Sequence, residues 1–356
     1  MKKQFFLAIL CLTIVLAFIS CSRTDAAKKV DVLISVIGDV TLESKNDIEK
    51  AEIAYNGLSK EEQKQVWKYK KLKKARDKYN ILLRKDKSER LEKLLGLIGT
   101  VELNDESNIK SARNLYNTFD EEGKSSFEHY QDLLDAESKL KSLKVMQVEK
   151  IINKIGEVSS TSGIAIKEAF YQYNKLSYEE KSNVTNSDAL INAKETYKKI
   201  VEGNKGKLRK NVDRPRNLIF YESTAEPGTV YANYVLPYIF CSDGAEGLRI
   251  RWWYSGFQWI NTYEVVVIVD GIRREISYNE RFTRDSNWSG YYWEYIDLVA
   301  SKNDFDILNM MANGKNVEVA FVGTRGSYEF TLSNVYKREI RKVLDAFDMT
   351  NSINEF

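Results

Sequence analysis

One short stretch of the C-terminal half carries arginine and tryptophan side chains, the residue types of this sequence that are best suited to binding a ligand. In "LRIRWWYS", residues 248–255, Arg249, Arg251 and Trp253 are two positions apart, so on a strand they share one face. Four rings of the nearby stretch "DSNWSGYYWEY" complete the candidate set: Trp288, Tyr291, Tyr292 and Trp293. Aromatic rings flanked by guanidinium groups suit sugar rings, anionic glycopolymers or protein partners, because Trp, Tyr and Arg dominate the energetics of interfaces. These seven residues are the candidate ligand-binding set.

The same rings have a competing role as core residues. A β domain with few leucines needs large side chains to fill its interior. Trp252 shares its strand face with Leu248 and Ile250, so it is predicted to be buried. For Trp253 and for the rings of 288–293, an exposed and a buried position are both open.

Catalytic chemistry has few residues to draw on. The one histidine, His129, lies in the N-terminal half, which excludes Ser-His pairs, Cys-His pairs and histidine zinc sites from the C-terminal body. Glu294 and Asp297 are the candidate acid pair for glycoside hydrolysis, but three residues apart on a strand they point to opposite faces. We therefore assign no catalytic residue, metal or cofactor, and keep a hydrolase that uses carboxylates alone as the alternative. The sequence has no recognised nucleic-acid-binding motif.

The N-terminus has the pattern of a secretory signal. Two lysines precede a mostly apolar run from Phe5 to Ile19, which is too short for a comfortable bilayer span. The run ends in "FISC", which resembles the lipobox of bacterial lipoproteins, with Phe18 where Leu is more usual. The resemblance implies removal of residues 1–20 and diacylglycerol attachment to Cys21, and hence an anchor on the outer face of a bacterial membrane. The alternative is an ordinary cleaved signal with an incidental cysteine.

Composition divides the mature chain in two, although the net charge of the full sequence is only +3. From Ser22 to Lys210 there are 31 Lys and 6 Arg, whereas from Asn211 onward there are 4 Lys and 11 Arg. All three prolines and five of the six tryptophans are also in the second part. Such a shift indicates two different bodies, and the basic segment 203–217 is the predicted linker. With Cys11 removed and Cys21 lipidated, only Cys241 remains, so no intramolecular disulfide is expected.

A pattern occurs three times in the first part. Ile37-Gly38, Ile98-Gly99 and Ile155-Gly156 are 61 and 57 residues apart, and aligning them brings more than ten further positions into register. The matched positions include Ile48, Ile109 and Ile166; Ala51, Ala112 and Ala169; and Tyr55, Tyr116 and Tyr173. Apolar residues at spacings of three and four predict helices.

Each copy contains a polar joint, such as "AYNGLSKEEQ" at 54–63. Ser59 with Glu62, and Ser177 with Glu180, form the capping-box pattern that begins a helix, and Asp120 is a cap without the acidic partner. The preceding asparagines are predicted to end a helix in the left-handed conformation: Asn56, Asn117 and Asn174. Each unit is thus predicted to have three helices. The long one could run on into the next unit or break at stretches such as "RKDKSE".

These units resemble the three-helix modules of surface lipoproteins and wall-associated proteins of Gram-positive bacteria, with their "IG-x-V-x-L…A-x-x-x-Y-N-x-L-S-x-E-x-K" pattern. The resemblance spans Val30 to about Ile200 and implies a stalk or scaffold. Within it, "KYKKLKKARDKYN" at 68–80 is densely basic. That stretch either meets an anionic surface, of headgroups or teichoic-acid phosphates, or is a solvated helix face.

The second part is predicted to be a β-sandwich of roughly seven or eight strands with a C-terminal helix against it. Asp270-Gly271 marks a hairpin turn, and a second hairpin is expected around Gly323–Gly326. Helices are predicted near Asn303–Asn313 and from Asn334 to about Phe347.

The sequence therefore predicts a multidomain α + β lipoprotein. Its segments are a signal peptide (1–20), a tether (21–29), helical repeats (30–85, 86–145 and 146–202), a linker (203–217), a β-sandwich-like domain (218–349) and a tail (350–356). The predicted function is binding of a cell-wall glycopolymer or a surface protein by the β domain. The alternatives are a cell-wall hydrolase, or a scaffold whose repeats hold the partner.

Overall fold

A computed structural model of the protein describes residues 23–225, 227 and 230–354. In this part of the chain, ten α-helices precede the first strand, and ten antiparallel strands with two more α-helices follow, so the fold is mixed α and β. The chain divides into two compact units, Met1–Leu143 and Lys144–Phe356, and each is considered by itself below. The predicted signal peptide and Cys21 lie outside the described residues.

The helices that precede the strands differ widely in length. They are α1 (Asp25–Val36), α2 (Lys45–Asn56), α3 (Lys60–Gln63), α4 (Tyr69–Ile98), α5 (Glu106–Asn117), α6 (Glu121–Ser126), α7 (Tyr130–Asn153), α8 (Gly163–Lys175), α9 (Tyr178–Ser182) and α10 (Ser187–Lys205). Helix α1 takes up part of the predicted tether, because Thr24 caps it and Ala27 is already buried. Helix α4 runs through "RKDKSE" without a break.

The predicted helix caps are confirmed. The Ser59 hydroxyl accepts from the Glu62 backbone N–H while the Glu62 carboxylate accepts from the Ser59 N–H, and Ser177 and Glu180 do the same. Asp120 caps α6 by accepting from the Gly123 N–H at 2.9 Å. The helices that these caps begin are short, however: α3, α6 and α9 have four to six residues.

A break before each long helix was not predicted, and in two places its cause is a buried or half-buried carboxylate. Asp31 of α1 accepts from the backbone N–H groups of Trp67 (3.3 Å) and Lys68 (2.8 Å), just before α4. Glu149 of α7 accepts from the Thr185 N–H at 2.8 Å, just before α10. The two carboxylates accept hydrogen bonds from backbone N–H groups at the breaks, and they belong to residues that are far away in sequence.

The prediction of left-handed asparagines at the joints is wrong. Asn56 and Asn117 are the last residues of α2 and α5, and Asn174 lies inside α8. The residues after α2 and α5 keep right-handed backbone angles, so the chain leaves each helix through a tight turn that needs no positive φ. The positive φ values of this part belong instead to the glycines of the three Ile-Gly pairs.

The strands form two antiparallel sheets. They are β1 (Arg209–Asp213), β2 (Leu218–Glu222), β3 (Tyr234–Ser242), β4 (Ala245–Gly256), β5 (Thr262–Val269), β6 (Ile272–Ser277), β7 (Thr283–Ser286), β8 (Tyr292–Val299), β9 (Val317–Gly323) and β10 (Gly326–Thr331). The six-stranded sheet has the order β1-β2-β3-β4-β8-β7, and the four-stranded sheet the order β10-β9-β5-β6.

Both predicted hairpins and both predicted helices are confirmed. Asp270 and Gly271 have φ values of 48° and 85°, which suit the tight β5–β6 turn, and Gly323 pairs with Gly326 at the β9–β10 turn. The helices are α11 (Lys302–Asn313) and α12 (Asn334–Ala346). Side chains of both sheets and both helices share one hydrophobic core, with Trp252 fully buried in it as predicted.

The predicted linker 203–217 is built into the second unit. It holds the end of α10 and the whole of β1, and Lys205 is buried in an ion pair with Glu246 of β4. The Tyr197 hydroxyl donates to the Phe347 carbonyl (3.0 Å) and accepts from the Met349 N–H (3.2 Å). The third helical segment and the sheets are therefore joined by buried polar contacts.

The predicted tail is also tied down where it is described. The Asn354 side chain is buried, accepts from the Leu248 N–H (2.8 Å), and donates to the carbonyls of Leu248 (3.1 Å) and Ala300 (2.6 Å). Ser352 also forms an isolated parallel bridge with Glu246, so the chain up to Asn354 is attached to the start of β4.

Candidate functional site

One face of the six-stranded sheet carries a row of stacked rings centred on Trp253. In the antiparallel register Tyr234 of β3 lies opposite Trp253, and Tyr295 of β8 lies opposite it on the other side. The ring centroids are 5.8 Å apart for Tyr234–Trp253 and 4.9 Å for Trp253–Tyr295, with interplanar angles of 7° and 16°. Trp293, two residues before Tyr295 on β8, stacks on Trp253 with the ring centroids 6.5 Å apart. We call these four residues the aromatic row, and Trp253 within it is half-buried.

A second set of rings lies in the loops at the end of the sheet where β3 and β8 begin and β4 and β7 end. Tyr291 is its centre, because its ring is 4.5 Å from the rings of both Tyr231 and Phe257. Trp288 is 99% exposed, Phe257 74% and Tyr231 53%. We call these four residues the aromatic end. Solvent-exposed rings grouped in this way are characteristic of binding surfaces.

The loop that holds Trp288 is shaped by one asparagine. The Asn287 side-chain oxygen accepts from the backbone N–H groups of Ser289 (3.1 Å) and Tyr291 (3.0 Å), while its amide donates to the Tyr231 hydroxyl (3.3 Å). These bonds fold the β7–β8 connection into a tight turn that leaves the Trp288 ring outside.

The loop that holds Phe257 is anchored by a buried carboxylate. Glu294 is 0% exposed and accepts from three consecutive backbone N–H groups, those of Ile260 (2.8 Å), Asn261 (2.8 Å) and Thr262 (2.6 Å). Because Glu294 precedes Tyr295 of the aromatic row on the same strand, this anchor also sets where the Phe257 loop lies relative to the row.

The two candidate arginines are not free to meet a ligand charge. Arg249 Nε donates to Asp297 Oδ1 at 2.8 Å, and Arg251 Nε donates to Asp297 Oδ2 at 3.0 Å. The Tyr238 hydroxyl also donates to Asp297, at 2.9 Å. Burial raises the pKa of Tyr238 to about 12, so the hydroxyl keeps its proton. Arg249, Arg251 and Asp297 therefore form one hydrogen-bonded group with a net charge of +1 beside the aromatic row, in place of two unpaired cations.

Five of the seven predicted ligand-binding residues come together at one end of the sheet: Trp253, Trp288, Tyr291, Tyr292 and Trp293. Tyr292 lies at the strand start, with its ring 4.9 Å from that of Trp259. Sequence reasoning missed five further rings of this region: Tyr231, Tyr234, Phe257, Trp259 and Tyr295. Tyr295 could have been found, since it alternates with Trp293 on one strand. The others depend on which strands are neighbours, and the sequence alone does not carry that information.

The candidate acid pair has the opposite-facing arrangement that was expected. Glu294 lies opposite Tyr254, whose side chain is buried, and Asp297 lies opposite Arg251 on the other face. Each carboxylate is occupied by the partners described above. Among the described residues, no group of three or more His, Cys, Asp or Glu side chains is placed to hold a metal ion.

Two other reactive side chains lie apart from the aromatic residues. Cys241 of β3 is half-buried, and burial raises the pKa of its thiol to about 11. His129 donates to or accepts from Asp132 at 2.8 Å on the exposed surface of the first unit, and this contact raises its pKa.

No protein-family model, curated protein or solved structure matches this chain. Interpretation of the site therefore rests on its geometry, which offers exposed rings with the Asn287 amide and the Tyr231 hydroxyl beside them.

Proposed function

We propose that the protein is a lipid-anchored extracytoplasmic binding protein whose helical segments form a stalk and whose β domain binds a cell-wall glycopolymer. The observation that carries the binding proposal is the aromatic end, where three loops bring Trp288, Phe257 and Tyr231 to the surface around Tyr291. Hydrogen bonds from Asn287 and Glu294 hold the backbone of the Trp288 and Phe257 loops, so these loops lose little backbone conformational entropy on binding.

The low net charge of the Arg249–Arg251–Asp297 group favours sugars over a strongly charged ligand. Asp297 offsets one of the two charges of Arg249 and Arg251, and Asn287 and Ser289 in the Trp288 turn are uncharged donors and acceptors. Flat apolar faces with polar groups at their edges fit the alternating apolar and hydroxyl surfaces of a pyranose chain.

The repeat interpretation is supported by contacts at matching positions. Gly38, Gly99 and Gly156 all have φ between 53° and 60°. Tyr55 stacks on Tyr69 at 4.2 Å, and the corresponding rings of Tyr116 and Tyr130 stack at 4.5 Å.

A pair of side chains that joins two helices gives further support, because it occurs at matching positions of all three segments although the residue types differ. Glu52 pairs with Arg76 in the first segment. The corresponding residues of the second segment are Arg113 and Glu137, which pair at 2.6 Å with the charges exchanged. In the third segment Lys194 lies 4.9 Å from the centroid of the Phe170 ring. We infer three tandem units at 30–85, 86–145 and 146–202.

A sandwich-like arrangement of the two sheets is supported by their shared core. Val235, Ile250 and Trp252 of the six-stranded sheet belong to the same buried cluster as Val267 and Val319 of the four-stranded sheet.

The anchor proposal rests on the N-terminal sequence that ends in Cys21. None of the helices in the described residues is both long and apolar enough to cross a membrane. Cells fed labelled palmitate should label the natural protein and not the Cys21→Ser variant. Equal labelling of both would refute lipidation at this position.

Binding should be tested with the full chain from Ser22 onward on purified cell-wall sacculi, with and without teichoic acid. Trp288→Ala and Phe257→Ala should each weaken retention by about thirtyfold, since a central aromatic anchor typically contributes about 2 kcal/mol. The matched control is Tyr263→Ala, an exposed ring on β5 of the other sheet. Loss of retention only when teichoic acid is removed would assign the ligand to that polymer.

The two alternatives give different results in the same assay. Retention that is unchanged in both aromatic variants but lost when the helical segments are altered would assign binding to the repeats. Release of soluble sugar, abolished in Asp297→Asn, would assign a hydrolase. Both outcomes contradict the proposal.

A further inference from the structure

The first helical segment carries a surface that its fold does not require. Lys70, Lys71, Lys74 and Lys78 of α4 fall within about 100° of one another around the helix axis, given 3.6 residues per turn. We call them the lysine stripe. All four are exposed, and none is within ion-pair distance of a carboxylate of the described residues. Next to the stripe, Trp67 is 78% exposed, and it lines a surface groove together with Lys64 and Lys70.

The other segments show that this charge is not structural. Residues 60–78 contain nine basic and three acidic side chains, a net charge of +6. The matching stretch 121–139 has two basic and six acidic side chains, a net charge of −4. The matching stretch 178–196 has two basic and four acidic side chains, a net charge of −2. At the positions that match the lysine stripe, the second segment has Gln131, Asp132, Asp135 and Lys139. The third segment has Asp188, Ala189, Asn192 and Thr196 there. Like charges three and four residues apart destabilise a helix, so the lysine stripe costs α4 some stability.

Trp67 is equally unnecessary to the fold. Its matching residues are Glu128 and Thr185, both polar. The ring is not packed into the core; the Arg23 guanidinium lies over it, 4.2 Å from the centroid. Arg23 is held there, because its Nε donates to the Gln65 carbonyl at 2.9 Å.

This contact puts the surface next to the proposed anchor. Only Ser22 lies between Cys21 and Arg23, and the two steps along the chain span at most about 7 Å. A diacylglycerol on Cys21 would therefore hold Trp67 close to the headgroups of the membrane that it enters. A tryptophan at the membrane–water interface with lysines around it is the arrangement that favours contact with an anionic bilayer.

We propose that Trp67 and the lysine stripe bind the anionic phospholipid surface of the membrane, as a second contact beside the acyl chains. The first segment would then lie against the bilayer. The inference uses the proposed lipid anchor for its geometry, but it is independent of ligand binding by the aromatic end.

Vesicle binding by the full chain from Ser22 onward, without acyl chains, tests the proposal separately from lipidation and wall binding. Vesicles of phosphatidylcholine with about a third phosphatidylglycerol should bind the protein, and pure phosphatidylcholine should not. Near such a surface each lysine should contribute about a fivefold gain in partitioning, so replacing the four stripe lysines by Gln should reduce binding several-hundredfold, to roughly background. Binding should also weaken as salt is raised.

The matched control replaces four exposed lysines of the second unit, Lys150, Lys154, Lys198 and Lys199, by Gln, which changes the net charge equally. This control should keep most of the binding. Trp67→Gln should weaken binding and remove a blue shift in fluorescence on addition of anionic vesicles. Equal loss in the stripe and control variants would overturn the proposal. So would binding of soluble poly(glycerol phosphate) by the stripe without binding of anionic vesicles.

Discussion

Trp252 and Trp253 are neighbours in sequence with opposite roles on β4. The Trp252 indole is fully buried, and its Nε1 donates to the Tyr278 hydroxyl at 2.7 Å, which in turn donates to Asp304 at 2.8 Å. Every polar atom of that chain has a partner, so it adds specificity to the core without an unpaired group. Trp253 faces the other way and stacks between rings that leave part of it exposed. One residue thus belongs to the core between the sheets and the next to the aromatic row on the opposite face.

Glu294 shows how a candidate catalytic acid can have a purely structural role. The Glu294→Gln substitution keeps the shape but replaces one acceptor oxygen with an NH₂ group facing backbone donors, and removes the charge that three N–H groups share. We expect a loss of about 3 kcal/mol in the free energy of unfolding, measured by urea denaturation. The control Glu329→Gln, on the exposed face of β10, should change it by less than about 0.5 kcal/mol. Equal stability of the two variants would contradict the anchoring role.

The Cys241 thiol should react slowly at neutral pH. Its pKa of about 11, against an ordinary value of 9.0, lowers the thiolate fraction at pH 8 by about a hundredfold. The rate of alkylation by iodoacetamide should therefore rise about tenfold per pH unit from pH 7 to 10 in the folded protein. The urea-unfolded protein should level off about two units earlier. Identical pH profiles would show that the thiol is not shielded by the fold.

At the scale of elements, local signals predicted well and long-range contacts did not. The Ser59 and Ser177 caps and the Asp270-Gly271 turn depend on residues close in sequence, so their patterns identified helix starts and a hairpin. The break before α4 depends on Asp31, whose partners Trp67 and Lys68 are more than thirty residues away. For the same reason the pairing of Arg249 and Arg251 with Asp297 on β8 could not be read from "LRIRWWYS".

The end of α4 offers a matched pair of glycine substitutions. Gly96 lies inside the helix and Gly99 just after it at φ +53°, and neither would place a Cβ within 4 Å of another group. Gly96→Ala should raise the free energy of unfolding of the first unit by about 0.5–1 kcal/mol, through helix propensity. Gly99→Ala should lower it by about 1 kcal/mol, because an L side chain is strained at positive φ. Thermal unfolding by circular dichroism measures both; shifts of the same sign would contradict a left-handed joint at Gly99.

At the scale of the whole molecule, the change in composition near residue 210 does not coincide with the division of the structure. The division falls at Leu143, and the third helical segment belongs with the sheets. Tyr197 and Asn204 of α10 bond to the backbone after and within α12, and Lys205 reaches Glu246 of β4. The third segment thus supports the β domain through buried contacts of α10.

This arrangement predicts that a cut in the predicted linker damages the β domain. The fragment 144–356 should unfold in one cooperative transition. The fragment 211–356 lacks Lys205, the cation that pairs with the Glu246 carboxylate, and the hydrogen bonds of Tyr197 and Asn204, which should together cost about 3–5 kcal/mol. Its midpoint in urea should be clearly lower, and Glu246→Gln should restore part of the loss in this fragment while destabilising 144–356. Equal midpoints for the two fragments would show that the third segment and the sheets are independent. The recovery by Glu246→Gln separates the buried-charge effect from simple loss of contact area, because only the first is relieved by removing the charge.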